Sequence, residues 1–156
     1  MRVQATTATE VDGAELHELL RTAYAFMDGR IDPPSSLYRM TTEDLRQKAI
    51  DETLVTARAE GRLVGCLFAR NQPPWLYVGK VAVAVDSQGM GVGRALIAFA
   101  QGLAVERQLD GLELETRIEL TENHAAFASM GFIKVADQSH DGYDRTTCIR
   151  MRAAGS

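Results

Sequence analysis

The stretch Gln88-Gly-Met-Gly-Val-Gly-Arg94 carries three glycines at alternate positions. It follows a β-branched run, Val78 to Val85, and enters a segment whose apolar residues Val92, Leu96, Ala100, Leu103 and Ala104 recur with helical period. Glycine is a poor helix former, so its clustering where a helix begins needs a reason other than helix stability. A helix start presents unpaired N–H groups and the positive end of the dipole. With side chains removed at Gly89, Gly91 and Gly93, a diphosphate can approach those amides, and Arg94 adds a charge. A second set of candidates lies further on. Glu113 and Glu115 share one face of an alternating segment with Arg117. That face is either a solvated, salt-bridged one or a carboxylate site that takes a proton through water. Lys80 reads as a solvated lysine on the strand face of Ala82, and His17 falls on the exposed side of the first helix with no assigned role. The three histidines have no metal-ligand spacing, so no metal is expected.

Three phosphate-binding patterns compete for the glycine stretch. The triphosphate loop requires GxxxxGK[ST], and Arg94-Ala95 follows Gly93, so its lysine and hydroxyl are absent. The dinucleotide fingerprint GxGxxG fails twice, because Arg94 and Leu96 stand where its last glycine is needed. The pattern [QR]-x-x-G-x-[GA] matches at every fixed position, Gln88, Gly91 and Gly93.

The elements that must position these groups follow from the rest of the chain. Residues 2–7 read as an opening strand. Asp12-Gly-Ala-Glu15 has capping-box spacing ahead of Leu16, Leu19, Leu20, Ala23 and Phe26 at helical period. Paired prolines in 29–36 break that helix. Thr41 or Thr42 caps a second helix to about Ala49. Strands are predicted at 53–59 and 63–70, joined by a turn at Glu60-Gly61, and at 75–85 before the glycines. Residues 112–118 alternate as a strand. Thr121 caps a short helix ended by Gly131, and strands follow near 132–137 and 146–152. The order gives an α+β domain around a mixed, largely antiparallel sheet of about six to seven strands flanked by about four helices.

With the strand before it, the helix RALIAFA after it and ENHAAFASMGF some thirty residues on, the loop resembles that of the GNAT superfamily of acyl-CoA-dependent N-acetyltransferases. The resemblance covers the element order of the whole chain and is sharp over 78–134. It implies a single acetyltransferase domain over 1–156 that uses acetyl-CoA as cosubstrate. Gln88, Gly89, Met90, Gly91, Val92, Gly93 and Arg94 would grip the pyrophosphate. Val81, Ala82 and Val83 would run beside the pantetheine arm, where the strand bulges and splays from the next one, and an N–H near Val83 would polarise the thioester carbonyl. Asn123 and Phe127 fall in the helix that closes the cofactor side. Here the chain departs from the family pattern: Phe127 stands where a tyrosine often protonates the leaving thiolate, and the family's asparagine aligns with Leu120, the nearest asparagine being Asn123. Three readings stay open. The thiolate leaves without an acid, another group such as Tyr143, His140 or His124 donates, or the chain binds acyl-CoA without turning it over.

The resemblance also implies an acceptor groove between 27–39 and 138–146, which contain Arg30, Arg39, His140 and Arg145 as candidate contacts. Their mixed charges suit a small zwitterionic or cationic amine, with a peptide as the alternative acceptor. A homodimer through sheet edges or the last strands is a further expectation from the family.

Composition sets the outer limits. With 156 residues, 46% of them hydrophobic and 24% charged, the chain suits one globular domain. A net charge of −4 argues against non-specific nucleic-acid binding. The sequence has no membrane-span-length apolar run and no apolar core in MRVQATTATE, so the expected location is cytoplasmic. Cys66 and Cys148 sit in apolar strand-like runs and read as buried small hydrophobes.

Overall fold

The computed structural model describes residues 1–155. Strands β1 (Arg2–Thr6), β2 (Thr53–Ala59), β3 (Arg62–Gln72), β4 (Trp75–Val83), β5 (Gly111–Arg117), β6 (Ile133–Gln138) and β7 (Cys148–Ala154) form one sheet, ordered β1-β2-β3-β4-β5-β7-β6. Neighbours are antiparallel except β4 and β5, which run parallel. Helices α1 (Gly13–Tyr24), α2 (Thr42–Asp51), α3 (Val92–Glu106) and α4 (Thr121–Ser129) complete the expected α+β architecture. A doubly wound dinucleotide-binding fold is thereby excluded, since that fold needs a mostly parallel sheet.

The two faces of β3 show how the layers are stacked. Gly65 faces α3 so closely that a Cβ there would stand 2.7 Å from Val92 Cγ1 and 3.0 Å from Leu96 Cδ1. Phe68 faces the opposite way, with Lys48 Nζ of α2 5.3 Å above its ring. The sheet is therefore sandwiched between α1 and α2 on one side and α3 on the other. α3 buries Val92, Leu96, Ile97, Ala100 and Ala104, so Ile97 joins the stripe read from the sequence and Leu103, only partly buried, leaves it. Each large aliphatic buried in this way contributes about 1.5–3 kcal/mol.

Local chemistry sets several boundaries differently from the sequence reading. Asp12 caps α1 by accepting from Ala14 N and Glu15 N, but Glu15 does not close a capping box, because its carboxylate pairs with Arg58 at 2.9 Å. The reciprocal box forms at α2 instead, between Thr41 and Asp44. Thr121 is the first residue of α4 rather than its cap; Leu120 holds the cap position with no side-chain hydrogen bond. β4 stops at Val83 because Val85–Ser87 turns into a 3₁₀ segment. His17 is half-buried, not exposed, and its Nε2 lies 3.2 Å from Met40 O.

The sheet opens at its centre. β4 and β5 pair only at Leu76 with Leu112 and Tyr77 with Glu113, and then diverge. Beyond that point β4 bulges. Cys66 faces Ala82 and Phe68 faces Gly79, so Lys80 and Val81 together oppose Leu67. Lys80 takes a left-handed φ of +52°, unusual for a side chain of its size. Two groups stabilise the bulge: the Tyr24 hydroxyl donates to Val81 O at 3.2 Å, and the Cys66 thiol to Lys80 O at 3.6 Å.

Candidate active site

The glycine stretch lies between β4 and α3, as its position in the sequence requires. Gly89 and Gly91 have φ of +80° and +82°, in the left-handed region. A Cβ at either would meet nothing within 4 Å, so the backbone conformation, not crowding, is what demands glycine there. Gly93 has an ordinary φ, and its Cβ would only touch Met130 Cε and Val83 Cγ2, each at 3.8 Å. Gly91 caps α3 without any side-chain hydrogen bond, so first-turn amides face open space. Bare amides, unobstructed approach and a helix N-terminus fit the diphosphate of coenzyme A. Val92 is buried beneath the turn, whereas Gln88 and Met90 are exposed. Arg94 is anchored at the rim, its guanidinium 3.1 Å from Ser129 Oγ of α4.

A cleft of about 390 Å³ occupies the gap between β4 and β5 on the α1–α2 side. Tyr24, Val81, Leu120, Asn123 and Phe127 line it, so the structure brings Asn123 and Phe127 to the same space as the bulged strand. Phe127 packs edge-on against Phe132 with ring centroids 5.6 Å apart. Ala82 is buried and Val83 half-buried, and along the gap β4 pairs with β3 but has no strand partner on its β5 side.

The acid–base candidates separate. Glu115 lines the cleft, half-exposed, and pairs with Arg150 at 3.2 Å. Glu113 does not line it. Its side chain is 2% exposed, and its oxygens accept from Arg152 at 2.8 Å and Gln72 at 2.9 Å, with Arg150 at 3.9 Å. The expectation that Glu113 serves as a base is corrected: it is a buried carboxylate neutralised by two arginines. Tyr143 is corrected as a proton donor to the cleft. Its hydroxyl donates to Asp32 at 2.7 Å, outside the cleft lining, and that bond raises its pKa. The same hydroxyl, with Arg145, holds Asp32 below the usual carboxylate range.

Of the acceptor candidates, Arg39 and His140 line the cleft. Arg30 and Arg145 do not. Arg30 pairs with Glu122 at 2.8 Å and Arg145 with Asp32 at 3.0 Å. Both arginines therefore pin the loop 28–34 to its neighbours, and Arg117 adds hydrogen bonds to Pro33 O and Pro34 O. Burial lowers the pKa of His140, and its Nδ1 is engaged by Thr147 Oγ1. His124 is likewise engaged, with Nε2 2.9 Å from Arg117 O.

Lys80 and Tyr24 are among the lining residues to which the sequence reading gave no part in the site. Lys80 is half-buried in the cleft wall, Nζ donating to Ser36 Oγ at 2.7 Å. Burial, then the charges of Lys48, Arg117 and Arg39, lowers its pKa to about 8. Its position in the bulge redirects it from the solvated face that strict alternation predicts, and strand periodicity carries no signal for that. Tyr24 sits at the end of an unremarkable amphipathic helix. Its desolvated phenol is pushed far above the ordinary range, so it serves as a neutral donor to Val81 O.

The glycine turn, the bulge and the split sheet meet at one cleft, and sequence comparison agrees with that geometry. Residues 14–132 match the Acetyltransferase (GNAT) family. The chain belongs to this family. It is accordingly a GNAT-type acetyltransferase. No curated protein matches the chain in sequence. Among solved structures, the chain is similar to the PaiA N-acetyltransferase of Thermoplasma acidophilum in complex with coenzyme A. That match has 13% identity and a TM-score of 0.78, covering 99% of each chain. It is similar also to a ribosomal-protein-alanine N-acetyltransferase of Brucella melitensis, at 20% identity, 99% of each chain and a TM-score of 0.74. Nourseothricin acetyltransferase is similar at 26% identity over 68% of this chain and 66% of that one, with a TM-score of 0.62. Two other features bear on earlier expectations. Among the described residues no helix is long and apolar enough to cross a membrane. Cys66 and Cys148 are free and buried.

Proposed function

We propose that this GNAT acetyltransferase moves an acetyl group from acetyl-CoA to the primary amine of a small molecule by direct attack within a ternary complex. One observation carries the reading: β4 and β5 part after two residue pairs, with the glycine turn at one end of the gap and a walled cleft at the other. The amides of the turn bind the diphosphate, and the main chain of β4 from Val81 to Val83, which has no strand partner on its β5 side, binds the pantetheine amides as an added strand would be bound. The PaiA relative in complex with coenzyme A supports the choice of ligand.

Acetyl-CoA supplies the activated acyl group; this chain's residues orient it and manage protons. Glu115 is the carboxylate in the cleft lining, and it takes the ammonium proton through water. Phe127 contributes an apolar wall and no proton. The Tyr24 hydroxyl is committed to Val81 O, so the thiolate leaves without a dedicated acid. A thiolate is weakly basic, near pKa 8.5 for an ordinary alkyl thiol, which makes that departure feasible. The test is release of free thiol from acetyl-CoA across an amine panel, with mass spectrometry of the product. Amine-dependent release and an N-acetylated product are expected. Thiol release unaffected by every amine, or an O-acetylated product, would overturn the assignment.

A further inference from the structure

The chain carries a net charge of −4, yet its main cleft is cationic. Arg39, Lys48, Arg70, Lys80 and Arg117 line it, and Glu115 is the carboxylate among the lining residues. Ion pairing sharpens the imbalance. Glu115 is neutralised by Arg150, and Lys48 by Glu52 at 2.7 Å. Arg39, Arg70, Lys80 and Arg117 make no salt bridge among the described residues.

Three of these cations converge on one short segment. Lys80 reaches Ser36 Oγ, Arg117 holds Pro33 O and Pro34 O, and Arg39 ends the 3₁₀ turn Ser36–Arg39. The partners of Lys80 and Arg117 there are neutral oxygens, and none of the three cations has a carboxylate at salt-bridge distance among the described residues. Like charges brought together in a partly desolvated wall repel one another, a cost that an anion in the cleft would offset. Apolar side chains complete the lining, with Met27, Ile31, Leu120 and Phe127.

We propose that the acceptor is a small amine that also bears an oxyanion, a carboxylate or a phosphoryl group, held by Arg39, Lys80 and Arg117. This rests on the acetyl-transfer reading and narrows its substrate class. Of the zwitterionic and cationic amines that the sequence suggested, it selects the zwitterionic kind, because Glu115 is the carboxylate among the lining residues and two further acidic groups are paired elsewhere. Glu122 is bound to Arg30, and Asp32 to Arg145 and Tyr143. Arginine forks and a lysine point charge are the usual partners of carboxylate and phosphate oxygens.

The test uses acceptor pairs that differ only in the anion. Tryptophan is compared with tryptamine, β-alanine with β-alaninamide, and phosphoethanolamine with ethanolamine, following thiol release from acetyl-CoA. The carboxylate-bearing or phosphoryl-bearing member should show the higher kcat/KM, and the arm with the larger ratio identifies the oxyanion. In Arg39→Ala and Lys80→Gln the acceptor KM should rise about tenfold, the worth of one charge-assisted hydrogen bond, with the acetyl-CoA KM unchanged. Equal or better turnover of the neutral or cationic members would overturn the proposal. So would a rise in the acetyl-CoA KM in place of the acceptor KM, since the cations would then serve the donor. If no amine releases thiol, the acetyl-transfer reading fails first, and calorimetry with N-acetylglutamate and with inorganic phosphate still decides the anion site. Binding lost in Arg39→Glu supports it; no binding at millimolar concentration overturns it.

Discussion

The glycine turn at 88–94 offers main-chain amides, whereas the far wall of the cleft offers side chains carried by four separate segments, at Arg39, Lys80, Arg117 and His140. The first region depends on backbone conformation, with Gly89 and Gly91 in the left-handed region and nothing crowding them. The second depends on tertiary structure, since a bulge in β4 and a proline-broken loop bring distant cations together. Main-chain recognition suits a constant ligand such as the coenzyme. Side-chain recognition can change with the acceptor while the scaffold stays fixed.

β5 joins the two regions and should give the largest effects. Glu113→Ala strips the carboxylate from Arg152 and Arg150 in a buried setting, and should cost about 3–5 kcal/mol of stability in denaturant titration. Two residues on, Glu115→Gln should leave the midpoint nearly unchanged, because its pair with Arg150 is partly solvated. It should lower kcat about 100-fold, the low end of general-base contributions. Equal kinetic effects from the two variants would erase the separation drawn between them.

The turn itself comes next. Gly91→Val forces a β-branched residue into a left-handed conformation and should cost about 1–3 kcal/mol, read as roughly 5- to 140-fold weaker coenzyme A binding by calorimetry. Gly93→Ala, whose Cβ has room, should stay within about threefold. If both bind normally, conformation is not what selects glycine in this loop.

The same division explains what the sequence made legible. β2 at Thr53–Ala59 was readable to the residue, and α3 with its buried stripe nearly so, because period and glycine punctuation are local signals. The parting of β4 from β5 was legible only through the family resemblance. Glu113 and Glu115 look alike in an alternating strand, and burial separates them only after β7 supplies Arg152 and Arg150. Tyr143 and Arg145 were in the right loop but turn to Asp32, a partner 111 and 113 residues away. Lys80 was misread because a bulge shifts the alternation on which the reading relied.

Lys80 therefore gives a sharper test of the acceptor wall. Its folded-state pKa of about 8 lies below the ordinary lysine value of 10.5. Below pH 8 the folded protein carries the charge at a cost. Between about 8 and 10.5 the unfolded chain holds more protons, so this group makes stability rise with pH. Lys80→Met should raise the Tm at pH 7 by about 2–4 °C, after allowance for partial solvation. Affinity for N-acetylglutamate should run the other way and weaken as pH passes about 8, where Lys80 loses its charge beside Lys48, Arg117 and Arg39. The thiol of Cys66, which donates to Lys80 O, titrates only near 12 and does not contribute there. A flat pH profile for binding would detach Lys80 from the anion.

The smallest effect is expected at Tyr143, and it separates the cleft from the latch beside it. The hydroxyl donates to Asp32, whose carboxylate Arg145 also holds at 3.0 Å. Tyr143→Phe removes one solvent-exposed hydrogen bond but leaves the ion pair. Loop 28–34 keeps further ties through Arg30 to Glu122, Asp32 N to Glu119 and Arg117 to the prolines. kcat should therefore change less than about twofold, and its pH profile should keep its shape, because no proton of the reaction passes through this phenol. A loss of about 100-fold with an altered alkaline limb would make Tyr143 the thiolate's acid after all. That outcome would require the loop to release Asp32 and swing into the cleft during turnover, and the latch would then be part of the catalytic cycle.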